Sequence, residues 1–562
     1  MKKFFFLSFF VLVAFYAKSQ NSGNISGNFQ VIMQSYNNDS IIGATQPAEK
    51  VRLNSYADFL YTNKNFSAGI RYEGYFNPLL GYNQKNDGFG FAYRFAQYKL
   101  ENLDITVGNF YEQFGNGLVL RSYTDKYIGY DNAFDGVRLK YQPFTGMYIK
   151  GLIGTQRYVF SKTNLGYSQV INRGLVRGAD LELDLNQAIK KLNESSTFIL
   201  FGMNYVSKYQ KAENQYVTIN DSTFTLNLPQ NTGAFSTRLN ISRGMFGFSG
   251  EFAYKAQDPT AENNYIYKPG TATFLNFTFS KKGIGLIISG IRIDNFGFRS
   301  DRNASLSDLN INYIPDITRN HIYAFASMYP FVTQNNGEMG ISSELTFKIK
   351  KGSKIGGKYG IDCRLNYSRI HNIYQKQINE QTPLNQSGTD GYITDFFNIS
   401  KELYYQDINV QIFKKFSKTF KMTLIYQNEI FNYGVLRGEP AEPNVNANIG
   451  IIDFTIRLNK KNYLRFETEA LFSEQDMGSW LMEEVEYTVS PHWFFSVNDQ
   501  FNYKNPDGKE AHYYMGAFGF KNNNTRIQLS YGRQREGVIC IGGVCRAVPA
   551  TNGFMMTITS SF

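Results

Sequence analysis

The chain has 562 residues, a formal net charge of +11 and 42% hydrophobic residues, with 40 tyrosines and 49 phenylalanines. Its mean hydropathy is −0.35. After the first twenty residues, no stretch approaches the roughly 20 consecutive apolar residues that a membrane-spanning helix requires, so a helical membrane protein is excluded. The basic residues do not cluster as a nucleic-acid-binding face would, and we expect no nucleic-acid partner.

The amino-terminus predicts export from the cytoplasm. Lys2 and Lys3 precede a largely apolar stretch at residues 4–15, and residues 17–19 form a small-x-small cleavage site. We therefore predict a signal peptide at residues 1–19 and a mature chain of residues 20–562. No cysteine follows the cleavage site, so the sequence predicts no lipid anchor. A soluble periplasmic or secreted protein with the same signal is the alternative.

Alternating apolar and polar residues recur along the mature chain. Ile452, Phe454 and Ile456 share one face of an extended segment, whereas Asp453 and Thr455 share the other. The same alternation occurs at residues 408–412, 464–470 and 525–531. A polar chain crosses a membrane in this way when one face of each strand contacts lipid and the other contacts water or ion pairs.

The connections between these segments alternate in length. Short turns are predicted at residues 62–65, 101–104, 142–146, 281–283, 350–357, 416–420, 459–462, 490–493 and 522–524. Longer connections are predicted at residues 77–88, 112–131, 208–232, 257–270, 299–337, 373–399 and 433–448. This pattern predicts an all-β fold, a large transmembrane antiparallel β-barrel of about 24 strands, with roughly 22 to 26 allowed.

The barrel is expected to have no separate plug domain and both termini in the periplasm, with the short turns on the periplasmic side. Residues 321–331 resemble an additional strand. Because an even strand number is needed, we assign residues 299–337 to one long outer loop. The chain ends on an alternating strand whose last residue is Phe562, which is typical of the closing strand of outer-membrane barrels. The predicted location is the outer membrane.

Charged residues on the polar face of consecutive strands are candidates for the lumen lining. They either form a network that stabilises the wall or line an ion-selective or solute-selective path. These candidates are Arg457, Arg465, Glu467, Glu469, Glu484 and Glu486.

One connection combines glycines, aromatic residues and charges. It begins at Phe110 and includes Glu112, Arg121, Tyr123 and Asp125. It folds inward as a constriction loop or forms a structured rim. It has no phosphate-loop pattern.

Lysines concentrate in the predicted short turns, at one rim of the barrel. There they would meet anionic lipid headgroups or an acidic partner. The expected partners are outer-membrane lipid and other envelope proteins. The lysines concerned are Lys64, Lys281, Lys282, Lys350, Lys351, Lys354, Lys414, Lys415, Lys418, Lys421, Lys460, Lys461 and Lys521.

Cys540 and Cys545 frame two glycines in the last hairpin, and an exported protein allows them to form a disulfide. Cys363 stands alone in a predicted strand. The four histidines show no metal-ligand spacing and no nucleophile-elbow pattern is present. We therefore expect no metal, no cofactor and no enzymatic activity.

Several motifs resemble a known family. They are Ser19-Gln20, FYEQFGNGLVLRSY at residues 110–123, GKYG at 357–360, GVICIGGVCRAVP at 537–549 and the terminal TSSF. Together they resemble a family of outer-membrane β-barrels of unknown function from Bacteroidota, and the resemblance spans most of the mature chain. It implies an outer-membrane location and that bacterial group, and it supplies no activity.

Two functions stay open. The first is a channel or passive transporter of unknown solute, which requires a conducting lumen. The second is a structural or assembly subunit of a larger outer-membrane complex, which requires a filled lumen.

Overall fold

The computed structural model describes residues 23–86, 88–160, 174–219, 221–541 and 544–562. In this part of the chain, 24 antiparallel strands form one closed sheet. Each strand pairs with the next barrel strand along the chain, and the first strand pairs with the last over Asn28 to Gln34. The predicted barrel and its strand number are confirmed. The predicted signal peptide lies outside the described residues.

The barrel strands differ in length and are numbered in chain order. They are β1 (Asn24–Ser35), β2 (Val51–Asn63), β3 (Phe66–Phe76), β4 (Gly88–Lys99), β5 (Leu103–Phe110), β6 (Phe134–Phe144), β7 (Met147–Gln156), β8 (Leu175–Asp184), β9 (Thr197–Tyr209), β10 (Asn231–Arg243), β11 (Phe246–Lys255), β12 (Gly270–Lys281), β13 (Ile284–Asp294), β14 (Gly337–Ile349), β15 (Ile361–Ile373), β16 (Ile399–Lys415), β17 (Phe420–Phe431), β18 (Val445–Arg457), β19 (Asn462–Phe472), β20 (Ser479–Val489), β21 (Trp493–Lys504), β22 (Ala511–Asn522), β23 (Thr525–Gln534) and β24 (Thr551–Ser561).

Within the described ranges, three short helices lie in the connections: α1 (Leu185–Ala188) and α2 (Lys190–Asn193) between β8 and β9, and α3 (Tyr433–Arg437) between β17 and β18. No helix among the described residues is long and apolar enough to cross a membrane.

Most short turns and long connections lie at opposite ends of the barrel, as the sequence predicted; an exception is the β8–β9 connection, residues 185–196, which lies at the short-turn end. The start of β1 and the end of β24 also lie at the short-turn end. Phe562 donates its N–H to the Gly27 carbonyl and accepts the Gly27 N–H, each at 3.0 Å, so the terminal residue extends the seam between β24 and β1. The lysines predicted to lie at one rim occupy these short turns or the strand residues beside them.

The outward face of the wall is apolar along most of each strand. Leu275 of β12, Ile341 of β14 and Leu365 of β15 are among the exposed outward side chains. Their backbone groups are paired within the closed sheet, so a lipid environment leaves few of them unsatisfied. This face has the pattern of a transmembrane barrel.

The inward face departs from the expectation of a wholly polar lining. On β18, Val445, Ala447, Ile449 and Ile451 all point inward and are buried. In a water-filled lumen these side chains would be exposed. They are covered because two long connections fold into the barrel and pack against the wall.

These two connections, here called the inner segments, fill part of the barrel interior. The first inner segment (residues 111–133) joins β5 to β6, and the second inner segment (residues 295–336) joins β13 to β14. The prediction that residues 299–337 belong to one long connection, and not to an additional strand, is confirmed. This connection does not lie outside the barrel, however, because its apolar side chains find a buried surface inside it. Residues 321–331, which resemble a strand, form turns there. No separate plug domain is present among the described residues.

Candidate functional site in the barrel lumen

The second inner segment carries an aromatic cluster into the lumen. Phe296, Phe298 and Phe325 are fully buried and belong to one apolar core shared with the wall. The ring of Phe325 lies 6.1 Å from that of Trp480 of β20, centroid to centroid. Burial of each such side chain stabilises the packed state by roughly 1.5 to 3 kcal/mol. The segment is therefore held by packing as well as by hydrogen bonds.

Carboxylates of the wall hold the backbone of this segment. The Glu469 carboxylate accepts the N–H groups of Ala324 at 2.9 Å and Phe325 at 2.8 Å. The Asp453 carboxylate accepts the hydroxyl of Tyr323 at 2.9 Å. Hydrogen bonds to a charged acceptor are stronger than those between neutral groups. Glu469 thus faces the lumen, where it anchors the segment rather than lining an open path.

A second group of anchors lies on β16. Arg319 donates to the side-chain oxygens of Asn409 at 2.7 Å and Gln411 at 2.6 Å. The Nε2 atom of His321 lies 2.9 Å from the Asp407 carboxylate. Because β16 is separated from β19 by two strands, these contacts fix the segment along an arc of the wall.

The first inner segment meets the other side of the wall. Asn116 donates its N–H and its side-chain amide to the Glu251 carboxylate of β11, at 2.8 and 2.9 Å. Phe114 is fully buried against Gly178 of β8, where a Cβ atom would lie 2.9 Å from its ring. The absence of a side chain at Gly178 therefore makes room for this aromatic ring.

Glu112 ties the same segment to β6 and β7. Its carboxylate lies 2.9 Å from Lys140, 3.3 Å from Lys150 and 3.6 Å from Arg138. Burial alone would raise the pKa of Glu112, but Lys150 and Lys140 outweigh it and hold that pKa below its usual value. The carboxylate is thus ionised and holds the start of the segment against the wall.

The two inner segments also bond to each other. The N–H of Arg121 donates to the carbonyl of Ile311 at 2.9 Å, and the N–H of Tyr313 donates to the carbonyl of Gly117 at 3.0 Å. The Arg121 guanidinium lies 4.0 Å from the Tyr313 ring centroid and 4.8 Å from that of Tyr123. These contacts join the segments into one brace across the lumen, so the connection from Phe110 folds inward.

The other sequence-predicted residues divide into those in this network and those outside it. Arg465 bonds Asp453 at 3.0 Å, lies 3.6 Å from Glu484 and also pairs with Glu467. In contrast, Arg457 donates to the carbonyl of Asn459 at 3.0 Å, and Glu486 accepts from Thr488 at 2.9 Å. Asp125 accepts the N–H groups of Tyr127 and Ile128 within its own turn.

Cys540 and Cys545 form a disulfide in the structure. They face each other across a small two-stranded hairpin within the last long connection, between β23 and β24. Cys363 lies on β15 with a free thiol.

One buried charge cluster was not predicted from the sequence. Arg157 lies 2.6 Å from Glu73 and 2.8 Å from Asp131, and Arg71 lies 2.7 Å from Asp131. Arg157 and Glu73 are 84 residues apart in the chain, so no local pattern signals their pairing. The cluster ties the end of the first inner segment to β3. Among the described residues, no group of three or more His, Cys, Asp or Glu side chains is placed to hold a metal ion.

Solved structures with a similar fold include the translocation pore of the P pilus usher PapC, with a TM-score of 0.41, 10% identity, 96% of this chain covered and 99% of that chain. A ferric enterobactin receptor (PfeA) mutant from Pseudomonas aeruginosa has a TM-score of 0.43, 10% identity, and coverages of 97% and 81%. OccAB4 from Acinetobacter baumannii has a TM-score of 0.33, 10% identity, and coverages of 86% and 100%. With TM-scores below 0.5, these similarities carry no conclusion about function.

No curated protein matches the chain. A family model does match it, over residues 1–562. The chain therefore belongs to the family of unknown function DUF6029.

Proposed function

We propose that the protein is an integral outer-membrane barrel whose lumen is closed by its own inner segments, and that it serves as a structural or assembly subunit of the envelope. The observation that carries this proposal is the buried aromatic core inside the barrel, formed by Phe114, Phe296, Phe298 and Phe325. An open pore would expose these side chains to water. The proposal includes no catalytic step and no cofactor.

The cost of opening supports a closed state. Exposing four buried phenylalanine side chains would cost about 6 to 12 kcal/mol at roughly 1.5 to 3 kcal/mol each. Each 1.4 kcal/mol corresponds to a tenfold change in an equilibrium constant. The open state would therefore hold less than about one molecule in 10⁴ unless a partner or ligand stabilised it.

A channel or passive transporter is the second candidate. The observation in its favour is the polar lumen at the short-turn side of the second inner segment, where Arg465 and Glu484 lie. There the side chain of Ile322 is 90% exposed, so the segment borders open space. Displacement of the segment would join this space to the long-connection end. The transported solute would then pass where Phe325 now packs.

Conductance in a planar bilayer separates the two functions. We expect the refolded wild-type protein to show no steady openings, whereas replacement of residues 312–331 by a short Gly-Ser linker should produce salt-dependent conductance. The matched control replaces residues 216–225, a hairpin of the β9–β10 connection. Heat-modifiable migration on a gel verifies that each barrel is folded.

Each outcome has a distinct meaning. Steady openings of the wild-type protein would contradict the closed-lumen proposal and favour the channel. Silence of the linker variant would contradict the expectation that residues 312–331 are needed to close the lumen. Openings in the control variant would mean that the outer hairpin contributes to closure.

The proposed orientation places the short-turn end and both termini in the periplasm. Lys351 lies in a short turn and Leu306 in the second inner segment near the long-connection end, and both are exposed. In intact cells, a membrane-impermeant thiol reagent should label L306C but not K351C. The reverse result would contradict this orientation. The Bacteroidota origin stays a prediction from the resemblance.

A further inference from the structure

Aromatic side chains mark the border of the lipid-facing surface at the long-connection end. Phe235 of β10 and Tyr254 of β11 point outward there, with ring centroids 5.6 Å apart. Seven strands away along the wall, Phe76 of β3 and Phe89 of β4 are stacked at 6.0 Å. Transmembrane barrels carry such aromatic girdles where the hydrocarbon meets the headgroups.

The wall itself interrupts this girdle between β13 and β15. The outward side chains identified at the same border there include no Phe, Tyr or Trp. Residues directly opposite each other on neighbouring strands share a face of the sheet. Arg292 is opposite Met339, and Met339 is opposite His371, so all three side chains point outward. The residues in this interval are Arg292, Asp294, Met339, Arg369 and His371.

The connection between β15 and β16 (residues 374–398), here called the external flap, lies over this interval. The Tyr392 hydroxyl donates to the Asp294 carboxylate at 2.7 Å. The Phe396 ring centroid lies 4.9 Å from the guanidinium carbon of Arg292. Arg292 alternates with Ile291 and Ile293, which belong to the lumen core, so Arg292 points outward. The external flap therefore lies against the outside of the wall.

The end of the external flap next to β16 presents aromatic surface. Phe397 is 83% exposed, and its ring lies 4.9 Å from that of Phe396, edge to face. Two residues below Arg292 on the same face is Gly290, which is opposite the exposed Ile341 of β14. The phenylalanine pair thus continues the lipid-facing surface of the wall, at the border where its girdle is interrupted.

We propose that Phe396 and Phe397 of the external flap insert into the outer-leaflet interface of the membrane and extend the aromatic girdle across this interval. The occupant of this surface is lipid. Two rings are far smaller than the roughly 800 Å² per partner of a stable protein interface, and they adjoin a surface that is itself lipid-facing. This inference rests on the proposed outer-membrane location.

Site-directed spin labelling tests the inference. A nitroxide is attached to F397C in a C363S background, where the remaining cysteines are held in the Cys540–Cys545 disulfide. In lipid vesicles, oxygen partitions into the bilayer and a nickel chelate stays in water. We expect the label at residue 397 to relax more with oxygen than with the chelate.

Two matched positions serve as controls. I341C lies on the outward wall and should report lipid, and L306C, 89% exposed in the second inner segment, should report water. All three positions are exposed, so none of the labels displaces a buried side chain. Heat-modifiable migration again verifies folding.

The outcomes separate this inference from the proposed function. If residue 397 responds like residue 306 while residue 341 reports lipid, the barrel spans the membrane and the inference is overturned. Low accessibility of residue 397 to both reagents would mean that protein covers the flap, which also overturns it. If residue 341 reports water, the membrane location fails and the inference fails with it.

Discussion

Glu469 offers the sharpest test of the closed lumen. Its carboxylate accepts two backbone N–H groups of the second inner segment, from Ala324 and Phe325, at 2.9 and 2.8 Å. Glu469 and Phe325 are both fully buried, so water does not readily replace a lost acceptor. The substitution Glu469→Gln keeps the side-chain size but removes the charge and one of the two acceptor oxygens.

The expected loss follows from these two bonds. The amide oxygen of the glutamine can accept one of the two N–H groups. The other N–H group then faces the NH₂ group of the glutamine and has no acceptor. An unsatisfied buried donor costs about 1 to 3 kcal/mol, and the loss of charge weakens the remaining bond by about 1 kcal/mol. We expect the packed position of the segment to be destabilised by about 2 to 4 kcal/mol, or roughly 30- to 700-fold.

Trp480 reports this change because its ring packs against Phe325. The chain has two tryptophans, so a Trp493→Phe background leaves Trp480 as the only one. In that background, Glu469→Gln should shift the emission of Trp480 to longer wavelength, increase its quenching by acrylamide and lower the urea midpoint of its transition. The control Glu483→Gln alters a carboxylate on the neighbouring β20 that bonds Thr468 at 2.8 Å, away from the segment.

Equal behaviour of the two variants would contradict the anchoring role of Glu469. If Glu469→Gln and Glu483→Gln leave the same quenching and the same urea midpoint as the parent protein, Glu469 does not hold the segment. If both variants lower the midpoint equally, the effect belongs to the wall and not to the anchor.

Three further predictions concern other parts of the fold. Burial in the second inner segment raises the pKa of Asp316 to about 6. The protonated Asp316 carboxyl therefore stabilises the packed state by about 3 kcal/mol relative to the ionised one. This stabilisation is fully present below about pH 4 and is lost as the pH rises through 6. Trp480 quenching should increase over that range, and Asp316→Asn should flatten the profile. Gly178→Val should displace Phe114 and speed hydrogen exchange in residues 111–123, because a Cβ there lies 2.9 Å from the ring. Gly151→Val, with nothing within 4 Å, should leave that exchange unchanged. Deletion of Phe562 removes two seam hydrogen bonds and should lower the heat-modifiable fraction, whereas Phe562→Ala, which keeps both bonds, should lower it less.

Much of the wall was predictable because its signals are local. Ile452, Asp453 and Phe454 alternate along β18 with a period of two, and the turn after β18 is marked by its own polar residues. Each strand pairs with a neighbour close in sequence, so alternation and turn spacing together determine strand number and topology. The expected disulfide partners are likewise five residues apart.

The site was only partly predictable. Glu469 and Arg465 were assigned to the lumen side from alternation alone, and Glu112 and Arg121 were singled out by the composition of their connection. The partners of these residues were not predictable, because they lie far away in the sequence: Glu469 binds Ala324 at a separation of 145 residues. No periodicity relates residues that meet across a barrel. The burial of Ile451 on the inward face was unpredictable for the same reason, since the residues that cover it belong to a connection far away in the sequence.

The sequence by itself determined that this chain forms a large closed barrel, since the period of two, the turn positions and the closing strand are properties of neighbouring residues. Only the tertiary structure decided what the barrel encloses. A long connection with apolar residues could lie outside the mouth or inside the lumen, and the choice depends on whether the far wall offers a matching surface. Here Phe325 meets Trp480 and the Glu469 carboxylate meets two backbone donors, so burial and hydrogen bonding together favour the lumen.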